Sequence, residues 1–563
     1  MAVLCLVALF YTPFCPFALA TGDNAGQSLA TCRLRAATYF GGSGNEQGWP
    51  STPSTRDADG NILYAIVTTS SNLASLAVGY DLSYNGGGDV LIVKMNAGLT
   101  QVLAATYLGG SALDSPDAIC IDDGGRVYVS GSTSSGDFPT TPGAYDITHR
   151  SAEDAFVAIL STDLDTLLAC TFIGGNGSDM GCATIVSADG SVFAAFGTAS
   201  TDLPTSPGAV QASHSLGGAD LYIMRLNSDL TAALASTYFG GNGNEFGSEL
   251  AIDSDGDIYV TGSTFSSDLP VSPDAYDKQN NDGSLDAFVS HISKTLDAVL
   301  ASTYVGGNGT DWSYAIILGE NGDVYITGHA GAHWPTTSGC FDPTYGGGTA
   351  DGSDAYLCRL SSDLSTLKAS TYLGGSSWDW GVDLARDSQG FIYLVGETSS
   401  PNFPVTKGAY DSTCCNVREM FLAKFDSTMQ TLHMSTFIGG LGDDRFPGVL
   451  AAANNCVYVI GYTESSDLHT SGGAYDASYN GGGDMYAVKF SLDPFMYGDA
   501  NSDGSVDISD VVHLIAYIFS GGTAPKPLLA GDANCDSTVD ISDVVYLIAY
   551  IFSGGSAPCE GYK

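Results

Sequence analysis

The motif Thr38-Tyr39-Phe40-Gly41-Gly42 constrains the fold most, because a close copy of it occurs six more times along the chain. The spacings between the first glycines of successive copies are 68, 65, 66, 66, 68 and 65 residues, and these glycines are Gly41, Gly109, Gly174, Gly240, Gly306, Gly374 and Gly439. A fixed period of this size is typical of repeat proteins, in which each unit buries its apolar faces against its neighbours. The sequence therefore predicts seven similar units over residues 33–493.

Each unit contains four segments with the composition of β-strands, which in the second unit are residues 104–108, 118–122, 126–131 and 154–160. Tight turns, such as residues 122–125 and 161–166, make successive strands antiparallel neighbours. This pairing leaves the first TYFGG strand and the last strand, residues 484–490, without a partner, and pairing the two closes a ring. We predict an all-β, seven-bladed β-propeller with four-stranded blades.

The repeats resemble the SBBP, or seven-bladed β-propeller, repeats of bacterial extracellular proteins. The resemblance rests on the TYxGG segments, on the D-x-x-G-x-[IV]-Y-[IV]-[TS]-G segments and on loops such as residues 137–146, and it covers residues 33–493. It implies the propeller fold and an exported protein, and it supplies no catalytic residues.

Charge and the N-terminus indicate where such a protein acts. The net charge of −43 and the sequence pI near 4.1 exclude a nucleic-acid partner and favour divalent cations. Residues 1–20 are apolar and end in Ala18-Leu19-Ala20, a small-x-small cleavage pattern, so they predict a signal peptide. We expect residues 21–32 to be a short leader, and the mature protein to be secreted or held at the cell surface with no segment inserted in the membrane.

Residues 494–563 form a second domain with a different pattern. Residues 499–520 and 532–553 are near-identical copies shifted by 33 residues. Each copy predicts a short α-helix, because apolar residues recur at helical spacing: Val511, Leu514, Ile515 and Ile518, and then Val544, Leu547, Ile548 and Ile551. The sequence predicts a small all-α pair of loop-helix units.

The loop before each helix has the spacing of an EF-hand calcium loop. Oxygen donors fall at positions 1, 3, 5, 7, 9 and 12, where position 7 supplies its backbone carbonyl. The predicted ligands are Asp499, Asn501, Asp503, Ser505, Asp507 and Asp510 in the first loop, and Asp532, Asn534, Asp536, Thr538, Asp540 and Asp543 in the second. We predict two Ca²⁺ ions, although Ser537 stands where the first loop has Gly504 and makes the second bend costlier.

This duplicated module resembles the dockerin type I domain over residues 498–563, a family that has Asp at position 12. The resemblance implies calcium-dependent binding to a cohesin domain in extracellular assemblies that degrade polysaccharides. The positions that match the family's partner contacts are Ile508, Ser509, Ile515, Ala516 and Ser520, and their copies Ile541, Ser542, Ile548, Ala549 and Ser553. The alternative is that the tail caps its own propeller as an intramolecular calcium staple.

Two sets of propeller residues are candidates for function. One acid follows each Gly-Gly, and its sevenfold recurrence favours local bonding to backbone amides: Glu46, Asp114, Asp179, Glu245, Asp311, Asp379 and Asp444. The residue after the glycine of the VYVSG-type strand varies instead, and we expect these residues to form a ring on one face: Thr68, Ser132, Thr198, Ser263, His329, Glu397 and Tyr462. His329, Glu397 and Tyr462 are the candidates for ligand binding or acid-base catalysis.

Trp312, Trp378 and Trp380 lie beside the recurring acid in adjacent units, where we expect interblade packing rather than stacking on sugars. The sequence therefore favours a calcium-binding protein whose dockerin-like tail tethers a propeller binding module to a cohesin-bearing assembly linked to polysaccharide catabolism. The alternative is an enzyme delivered by the same tail, namely a glycoside hydrolase acting on O-glycosyl compounds or a polysaccharide lyase, with its site on the ring that contains Glu397.

Overall fold

The structure, a computed structural model, describes residues 32–48, 51–73, 78–215, 217–281, 284–347, 352–414, 417–452, 455–492, 497–501, 505–525, 528–534, 536, 538–556 and 558. The predicted signal peptide, residues 1–20, and the leader up to residue 31 lie outside the described residues.

The first strand, β1, is Arg33–Phe40. Blade 1 contains β2 (Glu46–Gln47), β3 (Ser54–Arg56), β4 (Ile62–Thr68), β5 (Asp89–Met95) and β6 (Val102–Leu108). Blade 2 contains β7 (Asp114–Ile121), β8 (Val127–Thr133), β9 (Asp154–Leu160) and β10 (Leu167–Ile173). Blade 3 contains β11 (Asp179–Val186), β12 (Val192–Thr198), β13 (Asp220–Leu226) and β14 (Ala233–Phe239).

Blade 4 contains β15 (Glu245–Ile252), β16 (Ile258–Thr264), β17 (Asp286–Ile292) and β18 (Val299–Val305). Blade 5 contains β19 (Trp312–Leu318), β20 (Val324–Ala330), β21 (Asp354–Leu360) and β22 (Leu367–Leu373). Blade 6 contains β23 (Asp379–Arg386), β24 (Ile392–Thr398), β25 (Glu419–Phe425) and β26 (Leu432–Ile438). Blade 7 contains β27 (Asp444–Ala452), β28 (Cys456–Thr463) and β29 (Asp484–Ser491), and β1 completes it.

The predicted seven-bladed propeller is confirmed, and so is its closure. Every blade is an antiparallel sheet, and β1 pairs with β29 so that the last blade takes its outer strand from the start of the chain. The first strands of the blades contact one another around the ring and form its inner wall. The apolar clusters lie between neighbouring blades; one of them joins Ile92 of blade 1 to Val129 and Phe156 of blade 2.

The tyrosine of the repeated TYxGG segment ties the outer strand of a blade to the loop that follows the second strand of the same blade. The Tyr107 hydroxyl donates to the Ser70 carbonyl oxygen at 2.9 Å, and the Tyr304 hydroxyl donates to that of Ser266 at 2.8 Å. Both tyrosines are buried, so the hydroxyl needs this partner. The tyrosine therefore recurs because it makes the same bond inside five of the seven blades, whereas blades 2 and 6 have Phe172 and Phe437 in its place.

The recurring acids hold the ends of the inner strands, as the sequence predicts. Asp179, which is fully buried, accepts a hydrogen bond from the Gly175 amide at 2.8 Å. It also accepts bonds from the Thr198 and Ser200 hydroxyls. The other six acids accept the same amide bond: Glu46, Asp114, Glu245, Asp311, Asp379 and Asp444. These carboxylates are architectural.

A second buried acid begins the third strand of every blade, and the sequence analysis did not single it out. These residues are Asp89, Asp154, Asp220, Asp286, Asp354, Glu419 and Asp484. The first glycine of each Gly-Gly lies between the two acids, since a Cβ on Gly109 would lie 2.8 Å from both Asp114 Oδ2 and Asp89 Cγ. Glycine at this position makes room for two carboxylates.

The tail contains two helices, α1 (Ile508–Ser520) and α2 (Ile541–Ser553), with a 3₁₀ turn at Leu528–Gly531 between them. Each helix begins with a capping box, formed by Asp507 with Asp510 and by Asp540 with Asp543. Each ends at a left-handed glycine, Gly521 or Gly554. The helices pack on one another around a small core of Ala500, Val511, Leu514, Ala533, Val544 and Leu547, which confirms the predicted pair.

Candidate functional sites

The first calcium loop brings its acids together at the start of α1. Asp499 and Asp510 are both buried, although aspartate is rarely fully buried without a partner. Asp510 accepts the Asn501 amide at 3.0 Å through Oδ1 and the Asp507 amide at 2.9 Å through Oδ2. The position-12 carboxylate therefore fixes the loop at both ends. Asp503 lies outside the described residues, and Ser505 and Asp507 are exposed.

The second loop repeats this geometry. Asp543 accepts the Asn534 amide at 3.1 Å and the Asp540 amide at 2.9 Å, and Asp532 and Asp543 are buried. Burial, together with the charge of Asp532, raises the pKa of Asp543. Thr538 lies in the same loop, where its amide donates to Asp536 at 2.9 Å.

The chemistry of these loops fits Ca²⁺. Residues 497–552 contain eight aspartates and one lysine, so side chains of the module cannot balance its charge. Four of these aspartates are buried, and burying a carboxylate is costly unless a cation or several donors face it. Hard carboxylate, amide and carbonyl oxygens at this spacing are the ligands that Ca²⁺ prefers. The individual ligands remain a prediction that rests on the sequence.

The ring of variable residues predicted for the propeller needs one correction. Ser132, Ser263, His329, Glu397 and Tyr462 pair with the residue after the recurring acid, whereas Thr68 and Thr198 pair with the acid itself. The cause is that blades 1 and 3 lack the glycine used for the alignment, with Ile66 and Phe196 in its place. The true ring members there are Val67 and Gly197.

The three catalytic candidates are buried and do not hydrogen-bond to one another. Glu397 is fully buried, and its Oε1 accepts the Phe446 amide at 2.8 Å. Burial raises its pKa to about 7, against the opposing charges of Arg418 and Arg445. The Tyr462 hydroxyl donates to Glu464 at 2.7 Å. His329 is 7% exposed, and burial lowers its pKa to about 3.

Beside that ring lies an inner row of residues; the sequence analysis named Trp312 and Trp380 but did not recognise the row to which they belong. The residues of this row follow the recurring acid on the inner strands, and in blades 4 to 6 they are aromatic: Phe246, Trp312 and Trp380. With His329 and Trp378 they form what we call the aromatic arc. Ring centroids are 5.3 Å apart for Phe246 and Trp312, 4.8 Å for His329 and Trp380, and 5.1 Å for Trp378 and Trp380. The tryptophans pack across blades, as expected, but they stay partly exposed.

Two further carboxylates, also missed, lie deeper on the inner strands. Glu249 of blade 4 accepts the Ile316 amide at 2.7 Å, and Asp383 of blade 6 accepts the Val449 amide at 2.8 Å. Burial raises the pKa of both groups, and the charge of Asp383 raises that of Glu249 further. Both side chains remain partly exposed. The signal for them was an acid in the middle of an otherwise apolar inner strand.

Fold and sites together define a seven-bladed propeller protein with a C-terminal loop-helix pair. Residues 497–552 match the family model described as Dockerin type I domain, and residues 236–270 and 370–404 match the model described as Beta-propeller repeat. The chain thus contains SBBP propeller repeats and a dockerin type I domain. Dockerin type I domains bind calcium and cohesin domains and indicate an extracellular, cellulosome-type assembly.

Several solved structures are similar to this chain in its propeller. They include a protein of unknown function from Dyadobacter fermentans DSM 18053, with a TM-score of 0.41 and 10% identity over 82% of this chain and 100% of that chain. The polysaccharide lyase Uly1 has a TM-score of 0.39 and 9% identity over 82% and 99% of the two chains. A PL25 ulvan lyase has a TM-score of 0.44 and 9% identity over 79% and 95%. These likenesses concern the fold alone.

No curated protein matches the chain. Among the described residues, no helix has both the length and the apolar composition needed to cross a membrane.

Proposed function

We propose that this is a secreted protein whose calcium-loaded tail tethers the propeller, as a binding module, to a cohesin-bearing extracellular or cell-surface assembly that takes part in polysaccharide catabolism. One observation carries the proposal: each tail helix exposes the same apolar stripe to solvent. In α1 the stripe is Ile508, Val512, Ile515 and Phe519, and in α2 it is Ile541, Val545, Ile548 and Phe552.

The stripe is a helical face at i, i+4, i+7 and i+11, so its members lie side by side. Val512 and Val545 are each 61% exposed, and Phe519 and Phe552 are each 65% exposed. A contiguous exposed apolar surface of this kind marks a protein interface. Because the two stripes match residue for residue, either helix offers the same docking face.

The predicted partner residues agree only in part with this stripe. Ile508, Ile515, Ile541 and Ile548 lie on it, and Ser520 and Ser553 are exposed at the helix ends. Ser509 and Ser542 instead donate to the capping aspartates Asp507 and Asp540, and Ala516 and Ala549 are only partly exposed. The sequence analysis missed Val512 and Phe519 and their copies, although their spacing from Ile508 was a usable signal.

An outside partner fits the structure better than an intramolecular staple. Both stripes stay exposed with the propeller of the same chain present. Where the tail begins, the Arg33 guanidinium lies 4.4 Å from the centre of the Tyr497 ring, away from either stripe. Among the described residues, neither helix packs along a propeller strand.

Capture of the full chain by immobilised type I cohesins, with calcium and then with chelator, tests the proposal. We expect capture only with calcium. Phe519→Ser or Phe552→Ser alone leaves one intact face and retains capture, whereas the double variant loses at least about tenfold in affinity because the apolar anchors of both faces are gone.

Phe265→Ser is the matched control, since Phe265 is an exposed phenylalanine of the propeller. Capture that survives chelation, or that the double variant leaves unchanged, contradicts the tethering proposal. The secreted form is tested separately by N-terminal sequencing of the mature protein, which we expect to start near residue 21.

The enzyme alternative is favoured by one observation, the pair Glu249 and Asp383. Two interacting carboxylates, one of them with a strongly raised pKa, are what hydrolysis of a glycosidic bond requires. Of the ring candidates, His329 belongs to the aromatic arc, whereas Glu397 and Tyr462 are buried and bonded to protein groups, which favours a supporting role for these two. Release of reducing sugars that is abolished by Glu249→Gln and Asp383→Asn would establish this alternative, and undetectable release would leave binding as the function.

A further inference from the structure

His329 is a buried side chain whose hydrogen-bonding groups are not used. Its Nδ1 is fully enclosed, and among the described residues neither ring nitrogen has a hydrogen-bond partner. An imidazole held like this costs free energy comparable to a lost hydrogen bond, so its place in the fold needs an explanation. Its two buried neighbours on the ring each make a hydrogen bond: Glu397 Oε1 accepts the Phe446 amide, while its Oε2 accepts none within the described part of the chain, and the Tyr462 hydroxyl donates to Glu464.

Two tryptophan rings lie against this imidazole. The Trp380 ring centroid is 4.8 Å from that of His329 with an interplanar angle of 14°, and the Trp312 centroid is 6.2 Å from it with an interplanar angle of 29°. The Trp380 indole N–H donates to Ser353 Oγ at 3.1 Å, so this ring is fixed in place. The indole N–H groups of Trp312 and Trp378 donate to no atom among the described residues, and both side chains are partly exposed.

Apolar ring surface combined with a few unused donors and acceptors suits a saccharide. The C–H face of a pyranose packs on an aromatic ring, while its hydroxyls donate and accept hydrogen bonds at the edge. A neutral imidazole can donate or accept one hydrogen bond through Nε2, the ring nitrogen of His329 that is not enclosed, which matches a sugar hydroxyl. Burial keeps this imidazole neutral near neutral pH, because it lowers the pKa of His329 to about 3.

The charges around the arc decide between neutral and acidic sugars. Both oxygens of Asp443 face the Arg418 guanidinium, at 2.8 and 2.7 Å. Arg445 lies 3.1 Å from Asp443 and 3.8 Å from Glu464. Both arginines are therefore already neutralised, and a uronate would find no unpaired cation in this part of the described structure.

We propose that the aromatic arc is the binding site for a neutral polysaccharide, whose sugar rings lie on Trp312, Trp378 and Trp380 and whose hydroxyl bonds to His329. The inference rests on the proposed role of the propeller as a binding module and names the class of its ligand. It assigns His329 a ligand contact that explains why a polar ring is kept in an aromatic stack.

Calorimetric titration of the full chain with cellohexaose, xylohexaose and mannohexaose, with hexagalacturonate as the acidic comparison, tests the proposal. We expect at least one neutral hexasaccharide to bind and to change the tryptophan fluorescence. Trp380→Ala should weaken that binding at least about tenfold, since it removes a central ring. Met180→Ala is the matched control, because Met180 holds the same position on β11 of blade 3 and is 52% exposed; its affinity should stay within about twofold.

His329→Phe separates a ligand contact from a packing role. Phenylalanine keeps the stacked ring and removes the unsatisfied nitrogens, so we expect an unchanged or higher Tm together with an affinity about threefold to tenfold lower. If Trp380→Ala lowers the Tm, the variant Trp380→Phe is used in its place. We expect Trp380→Phe to lose less affinity than Trp380→Ala.

The sugar titrations test this proposal independently of the cohesin capture experiment. The proposal is overturned if none of the three neutral hexasaccharides binds, or if hexagalacturonate binds more tightly than they do. It is also overturned if Trp380→Ala and His329→Phe leave the affinity unchanged. No cohesin is present in these titrations, so failure here leaves the tether intact, and failure of cohesin capture leaves the arc intact.

Discussion

The propeller and the tail both bury aspartates, but different groups stabilise them. In the propeller the recurring acid is surrounded by protein donors; Asp179, for example, accepts one amide and two hydroxyl groups. In the tail, Asp499 and Asp532 are buried in a module with eight aspartates and one lysine. The same residue type is therefore held by protein donors in one region, and in the other we expect a cation to balance its charge.

Withdrawal of calcium should separate the two regions most clearly. We expect a chelator to remove the slow hydrogen exchange of α1 and α2, because the energy of metal binding is the folding energy of such a module. The propeller strands should keep their protection, since their carboxylates are bonded to protein groups. Hydrogen exchange with mass spectrometry on the full chain measures both at once. Protection of α1 and α2 that is the same with and without chelator would contradict the comparison.

Removing one architectural acid should be the next largest effect. Asp179→Ala leaves the Gly175 amide and the Thr198 and Ser200 hydroxyls without their acceptor in a buried site. We expect this to lower the free energy of unfolding of the propeller by about 3–5 kcal/mol. Thermal unfolding in the presence of calcium checks this.

Blade 5 provides the matched variant. Asp311 accepts the Gly307 and Gly331 amides, while Ala330 and Ala332 stand where blade 3 has the two hydroxyls. Asp311→Ala should therefore lower the Tm less than Asp179→Ala does. Equal losses would show that the hydroxyl bonds contribute nothing.

The two regions should also respond to pH in opposite ways. Burial, with the charges of Asp411 and Asp444, raises the pKa of Glu419 to about 8, and burial raises that of Asp484 to about 7. A carboxyl whose pKa is raised on folding keeps its proton in the native state, so its contribution is full below an unfolded pKa of about 4 and is lost as pH rises to about 8. The Tm of the propeller should fall by on the order of a few °C from pH 5 to pH 8.

The calcium loops need ionised ligands, so their affinity should rise over the same range. Calorimetric scans at several pH values, with calcium present, follow the propeller transition. Glu419→Gln cannot ionise and should flatten its slope. A propeller Tm that rises between pH 5 and pH 8 would refute this assignment.

Sequence patterns predicted the fold well where one physical requirement recurs. The TYxGG copies revealed the blades because five of the seven blades use the same internal tyrosine bond, and the unpaired end strands predicted the closure of β1 on β29. The pattern failed where a single residue differs. Ile66 and Phe196 replace the glycine used for alignment, and this shifted Thr68 and Thr198 by one position.

Sites that form across blades were harder to predict. The aromatic arc joins residues of three inner strands, and the pair of Glu249 and Asp383 joins two, so only the folded ring brings them together. The calcium loops were accessible from the sequence because all donors of one loop lie within twelve positions. In the tail, an apolar periodicity predicted the helices, but it did not separate the buried Leu514 from the exposed Phe519.

The smallest effect should come from position 6, one of the three positions at which the two calcium loops differ. Position 6 is Gly504 in the first loop and Ser537 in the second, and glycine suits the sharp bend that an EF-hand loop makes there. Ser537→Gly should raise the calcium affinity of the second loop about twofold to fivefold, which corresponds to about 0.5–1 kcal/mol. Gly504→Ser should lower the affinity of the first loop by a similar factor.

Calorimetric calcium titration of the full chain compares these two variants with the unchanged protein. Because the recurring acids of the propeller accept hydrogen bonds from protein donors, the propeller Tm should be the same in all three proteins, while the calcium needed to protect α1 and α2 should shift in opposite directions. If both variants shift the affinity the same way, the residue at position 6 does not set the difference between the loops. A change in the propeller Tm would show that the tail and the propeller are energetically coupled, and that the cation stabilises more than its own module.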